Sequence, residues 1–278
     1  MFRIVSDLGA DIPREFKEDN LVVINQSVSL GGEDRIFHLD SDLDMRKFFD
    51  EVAKVESYAT RAMTYQEIYS VIYPLAKESD LLCLSFSQRL SASGSQMQKV
   101  CADLDGKYGR VVYYDTQTAT VGQGVLVYYA TRLLKKGKSI DETVAILDQI
   151  KNNLRFYVLL DRENHFFKGG RCDGLEREKR GYPLLYLPLG DLYRKVAEFF
   201  APQVGIAFLE KKLQQRDNAL IFLGHGNNHS LALSLKEKWK NYAPKISTCY
   251  INPVMGVHTG KDPLLVAYLE NSPLLEGL

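Results

Sequence analysis

The sequence predicts an α/β chain of two domains: an N-terminal Rossmann-like layer with a parallel sheet, residues 1–158, and a C-terminal α/β domain, residues 159–278. Three observations predict it. Short apolar, β-branched runs alternate with longer stretches whose apolar residues recur at helical spacing. Start and stop signals punctuate the helical stretches. The pattern changes character near residues 155–160 with no Gly/Ser-rich or Pro-rich linker, so the two domains should pack closely.

FRIVSD opens as a strand ending in polar turn residues, and DIPREFKED follows as a helix start with Pro13 in its first turn. LVVINQSVSL reads as a strand. LDMRKFFDEVAKV and YQEIYSVIYPLAKES read as helices, with Pro74 expected to kink or break the second. DLLCLSF is a short buried strand, and SQRLSASGSQMQKVCADLDG turns from it into a helix. RVVYYDTQTA is a strand, and GQGVLVYYATRLLKKGK is a helix with lysines in its last turn and a glycine stop. SIDETVAILDQIKNNL carries a capping-box spacing from Ser139 to Glu142. Such alternation argues for a parallel layer with helices on both faces. In the second half FYVLLD, ALIFLGHG and STCYINPV read as strands. LYRKVAEFFAPQVGIAFLEKKLQQR and SLALSLKEKWKNY read as helices.

Composition narrows the function. The 278 residues hold 35 basic and 35 acidic side chains. A net charge of zero removes the bulk electrostatic case for nucleic acid or an anionic membrane. No apolar run approaches the roughly 18–20 residues that span a bilayer, and MFRIVSD turns polar too early for a signal peptide. Cys83, Cys101, Cys172 and Cys249 are widely spaced, with no CxxC. They are expected to be reduced, in a cytoplasmic protein without a structural zinc.

Four stretches can carry chemistry, and all lie at predicted strand ends or loops, where parallel α/β layers bind ligands. In SFSQRLSASGSQ the residues Ser91, Ser93 and Ser95 suit a helix N-terminus, either as caps or as an anion site. SYATRAMTY places Thr60, Arg61 and Thr64 before a helix. KGGRCDG offers a tight turn and the forked donor Arg171, although the charged run GLEREKR after it favours a solvated turn. VMGVHTGKDP brackets His258 with Gly256 and Gly260 on an expected loop. Elsewhere, HGNNH puts His225 and His229 four apart, but its Gly-Asn-Asn suits a turn and no third metal ligand is evident, so no metal is expected. Ser91 or Ser93, His258 and Asp115 could form a hydrolase triad, without a G-x-S-x-G elbow to support it.

In order and spacing these stretches resemble the DegV family of bacterial fatty-acid-binding proteins, over essentially the whole chain. IVSDLGADIP resembles the family's opening strand and turn, with Asp7, Asp11 and Pro13 in place. SQRLSASGS resembles its Ser-x-x-Leu-Ser-Gly-Thr turn, and VVYYDTQTATVGQG its Asp-Ser-x-x-Ser segment. FFKGGR resembles its Lys-x-Gly-Gly-Arg motif, and VMGVHTGKDP its Gly-x-His-Thr-Gly-Pro-Gly loop. The resemblance implies two α/β domains with a fatty acid carboxylate at their junction and a buried acyl tail. It implies lipid transport without turnover, no cofactor beyond the bound lipid, and a separate fatty acid kinase subunit to which the carboxylate is presented. Carried over, the carboxylate-binding residues are Thr60, Ser91, Ala92, Ser93 and His258. Arg61, Arg171 and Thr259 are further candidates for contact with the head group or the partner. Phe166 and Phe167 are tail candidates because they precede the Gly-Gly-Arg turn. The chain differs from the family pattern at Arg61-Ala62-Met63, at Tyr182-Pro183 and at Lys261-Asp262. The alternative is an enzyme, a serine hydrolase or a ketone- or sugar-phosphotransfer component, using Ser91 or Ser93 and His258.

Overall fold

The structure, a computed structural model, describes residues 2–37, 42–52, 54, 55, 57–161, 166, 170–173 and 181–275. Its first sheet is wholly parallel. It comprises β1 (Arg3–Asp7), β2 (Leu21–Ile24), β6 (Leu81–Ser85) and β7 (Val111–Asp115), in the order β2-β1-β6-β7. The buried β6 sequence LLCLS can face apolar neighbours on both sides only because helices cover both faces. One face is covered by α2 (Tyr65–Ala76) and α3 (Ser93–Leu104), whose apolar stripes pack on Val5, Leu81 and Cys83. The other face receives α4 (Thr120–Lys135).

α4 is apolar almost all round, and nearly every residue in it is buried. Such a helix needs cover on all sides. The second sheet supplies it, and one core runs from Ile4 and Leu84 through Val125 and Tyr129 to Phe156, Phe222 and Leu265. α5 (Ile140–Ile150) flanks α4 and begins with the expected capping box from Ser139 to Glu142.

The second sheet is mixed. It contains β8 (Leu154–Leu159), β9 (Cys172–Asp173), β10 (Tyr182–Tyr186), β11 (Tyr193–Phe199), β12 (Asn218–His225), β13 (Ile246–Tyr250) and β14 (Leu264–Glu270), in the order β13-β12-β14-β8-β10-β11-β9. β12 and β13 run parallel, joined by α7 (His229–Lys238). α6 (Pro202–Gln214) covers the far face beside β10 and β11.

A small antiparallel sheet of β3 (Val28–Leu30), β4 (Glu33–Arg35) and β5 (Tyr58–Thr60), with α1 (Asp42–Val52), completes the chain's first half. It reaches across to α8 (Pro253–Thr259).

Several sequence expectations are corrected. LYRKVAEFF is not helical: residues 193–199 form β11, and the helix starts at Pro202. Val196, Phe199 and Phe200 mimic helical spacing, but pairing with β10 prevails, and Pro202 takes the first helical turn where its missing N–H costs nothing. LVVINQSVSL divides into β2 and β3, which join different sheets. DIPREFKED forms only one 3-10 turn at Arg14–Phe16. α2 runs through Pro74 to Ala76, because the proline falls in its last turn.

Candidate functional site

The carboxyl ends of β1 and β6 are tied by one carboxylate. Asp7, buried at the end of β1, accepts from Gly9 N at 3.0 Å, Phe86 N at 2.8 Å and Gln123 Nε2 at 2.8 Å. Burial is the dominant influence and pushes its carboxyl up to about 6, against the lowering effect of these three donors.

Just beyond β6, the turn at 87–93 is folded on itself. Leu90 N and Ser91 N both donate to the Ser87 carbonyl, at 3.0 and 3.1 Å. Arg171 Nε donates to the Leu90 carbonyl at 2.7 Å, tying the second sheet to this turn. The N-cap position of α3 is Ala92 rather than a serine, and no side chain caps it. Instead Ser91 Oγ accepts from Ser93 N at 3.2 Å and donates to Ser93 Oγ at 3.2 Å. Ser93 Oγ also accepts from Met63 N at 3.0 Å. Both acceptor positions of the Ser93 hydroxyl are thereby used, and its own hydrogen is left for another partner.

The opposite wall comes from β5 and α8. The stretch expected as a loop around His258 is a short helix. Asn252 caps it by accepting from Met255 N at 2.9 Å, Pro253 opens it, and Gly260 ends it at φ 87°. His258 lies in the last turn, and its Nε2 is 3.2 Å from Thr60 Oγ1 at the end of β5. The edge of the Tyr58 ring faces the imidazole, with centroids 6.3 Å apart.

These walls enclose a cavity of about 400 Å³. Thr60, Ser91, Ala92, Ser93 and His258 all lie on it, as do Arg61 and Arg171. Its apolar surface includes Phe86, Leu90, Phe166, Val254 and Met255. Arg61 is already engaged, with both terminal nitrogens on Glu67 at 2.8 and 2.6 Å. Thr259 is not on the wall. It is fully buried, and its hydroxyl donates to the Gly256 carbonyl at 3.4 Å. Phe167 lies outside the described residues. Asp115 is also off the wall, with its carboxylate accepting from Gln117 N.

Sequence reading missed Gln26, Gln88, Tyr193 and Asn252 on this wall. Only Asn252 carried a signal, as Asn-Pro ahead of a helical turn. Gln26 Nε2 donates to the Arg61 carbonyl, which fixes the segment between Thr60 and Thr64. Asn252 donates to the buried Asp11 through its backbone N at 2.8 Å and its Nδ2 at 3.0 Å. Burial raises the Asp11 carboxyl well above its ordinary range, outweighing these two bonds.

Among the described residues, no group of three or more His, Cys, Asp or Glu is placed to hold a metal ion. No described helix is long and apolar enough to cross a membrane.

A family model described as "Uncharacterised protein, DegV family" matches residues 1–176. A DegV domain-containing protein of Clostridium perfringens is 28% identical over 284 residues, covering 96% of this chain and 97% of its own length. Another, from Lactococcus lactis, is 24% identical over 95% of this chain and 96% of its own. Among solved structures, a DegV family protein from Thermus thermophilus described by its fatty acid binding has TM-score 0.83 at 18% identity, over 97% of this chain and 99% of that one. DegV of Bacillus subtilis, described as a fatty acid binding protein, has TM-score 0.81 at 19% identity, over 97% and 99%. A stearic acid-binding protein from Eubacterium ventriosum has TM-score 0.80 at 20% identity, over 97% and 98%. At these identities the structural likeness establishes the shared two-domain α/β fold.

Proposed function

Because the chain belongs to the DegV family, we propose that it binds a long-chain fatty acid in the cavity between its two sheets, with the carboxylate against Thr60, the Ser91–Ser93 turn and His258. The observation that carries this reading is the convergence of Ser93, Thr60 and His258 on one cavity wall, from three segments far apart in sequence.

The chemistry supports it. A carboxylate only accepts hydrogen bonds, and burying it without donors costs several kcal/mol. The Ser93 hydroxyl has its acceptor positions filled and a hydrogen to give. With His258 Nε2–H donating to Thr60 Oγ1, the Thr60 hydroxyl hydrogen is likewise turned outward. The two hydroxyls hold the head group without a fixed charge of their own, and the imidazole sets the direction of the Thr60 hydroxyl. The tail would supply most of the affinity: at about 0.8 kcal/mol per buried methylene, a chain of about 16 carbons contributes roughly 10 kcal/mol before ordering costs. Phe86, Leu90, Phe166 and Met255 are the apolar surface it would meet.

In this reading the protein is a carrier rather than an enzyme, acts in the cytoplasm, and presents the carboxylate to a separate kinase. The proposed division of the chain into residues 1–158 and 159–278 falls within β8, the first strand of the second sheet, with the lipid head at the junction. The test is mass spectrometry of lipid extracted from the purified protein. Stoichiometric long-chain fatty acid is expected. A protein that is reproducibly empty, and takes up none when supplied, overturns the reading. A serine adduct at Ser91 or Ser93 with a fluorophosphonate probe would favour the hydrolase instead.

A further inference from the structure

Tyr193 opens β11, and its backbone N donates to the Arg171 carbonyl at 3.0 Å. Its side chain stands on the cavity wall and is only 1% exposed. Two rings meet it edge-on: Phe166 with centroids 4.9 Å apart at 87°, and Phe156 at 6.1 Å and 67°. Packed in this way, the phenol cannot swing out to water.

The hydroxyl at its tip has no hydrogen-bond partner. Among the described residues, it is the one buried side-chain polar atom on this wall in that state. Thr60, Ser91, Ser93, Asn252 and His258 on the same wall are all bonded. A buried tyrosine hydroxyl ordinarily finds a partner, and an unpaired one is a standing cost to the folded state. A buried water needs about three polar partners, and the two rings that flank Tyr193 offer none. Burial keeps the proton on the phenol, whose ionisation is pushed well above its ordinary range. Cys172 and Asp11 add to that effect and Arg171 opposes it. The group therefore has a hydrogen to give and can also accept one.

Tyr193 belongs to the second sheet, whereas the proposed carboxylate wall comes from β5, α8 and the turn before α3. Its ring touches Phe166, one of the apolar side chains proposed to meet the acyl tail. A plain alkyl chain passing this point leaves the hydroxyl sealed and unpaired. A chain with an oxygen at this point satisfies it.

Resting on the fatty acid reading above, we infer that the cavity selects an acyl chain bearing an oxygen, a hydroxyl or a ketone, bonded to the Tyr193 hydroxyl. A ketone accepts from the phenol, and a hydroxyl accepts from it or donates to it. A desolvated donor discriminates against a ligand that lacks the matching oxygen, because that ligand's binding shuts the donor away from water with no replacement. The methylenes contribute equally to both ligands, so the selection lies in this one contact.

The experiment uses the full chain stripped of lipid. Palmitate is titrated beside hydroxypalmitates with the hydroxyl on the second, third, a mid-chain or the last carbon, and beside a mid-chain oxopalmitate. One of these is expected to bind about tenfold more tightly than palmitate. In Tyr193→Phe the ratio of the two affinities should fall to about one. Because a ratio is read, a general change of affinity in the variant does not enter, and the parent series stands as a test by itself if the variant folds poorly. If palmitate binds and no oxygenated chain exceeds it, the inference is overturned while the fatty acid reading stands. It is overturned likewise if the advantage survives in Tyr193→Phe. If neither palmitate nor any oxygenated chain binds, both fall.

Discussion

Gly256 sits where an added Cβ would fall 2.4 Å from Phe48 Cε1 and 3.2 Å from Phe49 Cε1. Both phenylalanines are fully buried and cannot retreat. This contact lets α8 approach α1 closely enough for His258 to reach Thr60. Gly256→Ala should therefore destabilise the chain by about 1–3 kcal/mol, read as a lower urea midpoint with unchanged slope. An unaltered midpoint would show that α1 adjusts at little cost.

Thr60 and His258 should act as a unit in fatty acid binding. His258→Ala is expected to weaken binding by about 10- to 100-fold. Thr60→Val should do nearly the same, and the double variant should cost much less than the two losses combined. Additive losses would mean that the two side chains serve the ligand separately. Thr259→Val is the control: its hydroxyl faces the Gly256 carbonyl, so affinity should stay within about twofold.

Ser93→Ala should affect folding and binding together. It leaves the buried Met63 amide without its acceptor, at about 1–3 kcal/mol of stability. It also removes a donor from the proposed head-group wall. Equilibrium denaturation and fatty acid titration on the same preparation test both halves, and a stability loss with intact affinity would place Ser93 outside the ligand's reach.

Asp7 should leave a mark on the pH dependence of stability. Its carboxyl is raised from 3.8 to about 6, with burial as the largest cause. The folded state thus holds the proton more tightly than the unfolded state, and stability falls as pH rises between these values, then levels off. The difference corresponds to about 3 kcal/mol. Measured against Asp7→Asn from pH 4 to 7, the parent should lose stability relative to the variant by an amount of that order. A pH-independent difference would mean that Asp7 titrates at its ordinary value.

The first sheet was legible because its strands are buried on both faces and its helices are capped by local signals such as Ser139 and Glu142. β11 was not: a strand in which only Tyr193 is buried carries no clear period, and its phenylalanines fell at helical spacing. The short helix at His258 was hidden by its length, since seven residues between Asn252 and Gly260 look like a punctuated loop. Within the site, motif order singled out Thr60, Ser91, Ser93 and His258, and these do share a wall. The state of each could not be read in advance. That Arg171 grips the Leu90 carbonyl depends on a contact between segments 81 residues apart, and that Glu67 holds Arg61 and Thr259 turns inward depends on side-chain directions that spacing does not reveal.

The Thr60–His258 contact joins positions 198 residues apart. A fatty acid held by both would add its binding free energy to a long-range closure already held by packing and by the Asn252–Asp11 bonds. Occupancy would then be written into the lifetime of the protein. Filled copies would open less often and offer fewer cleavable segments to proteases than empty ones. Lipid supply would then set how much of the protein persists, with no dedicated sensor required.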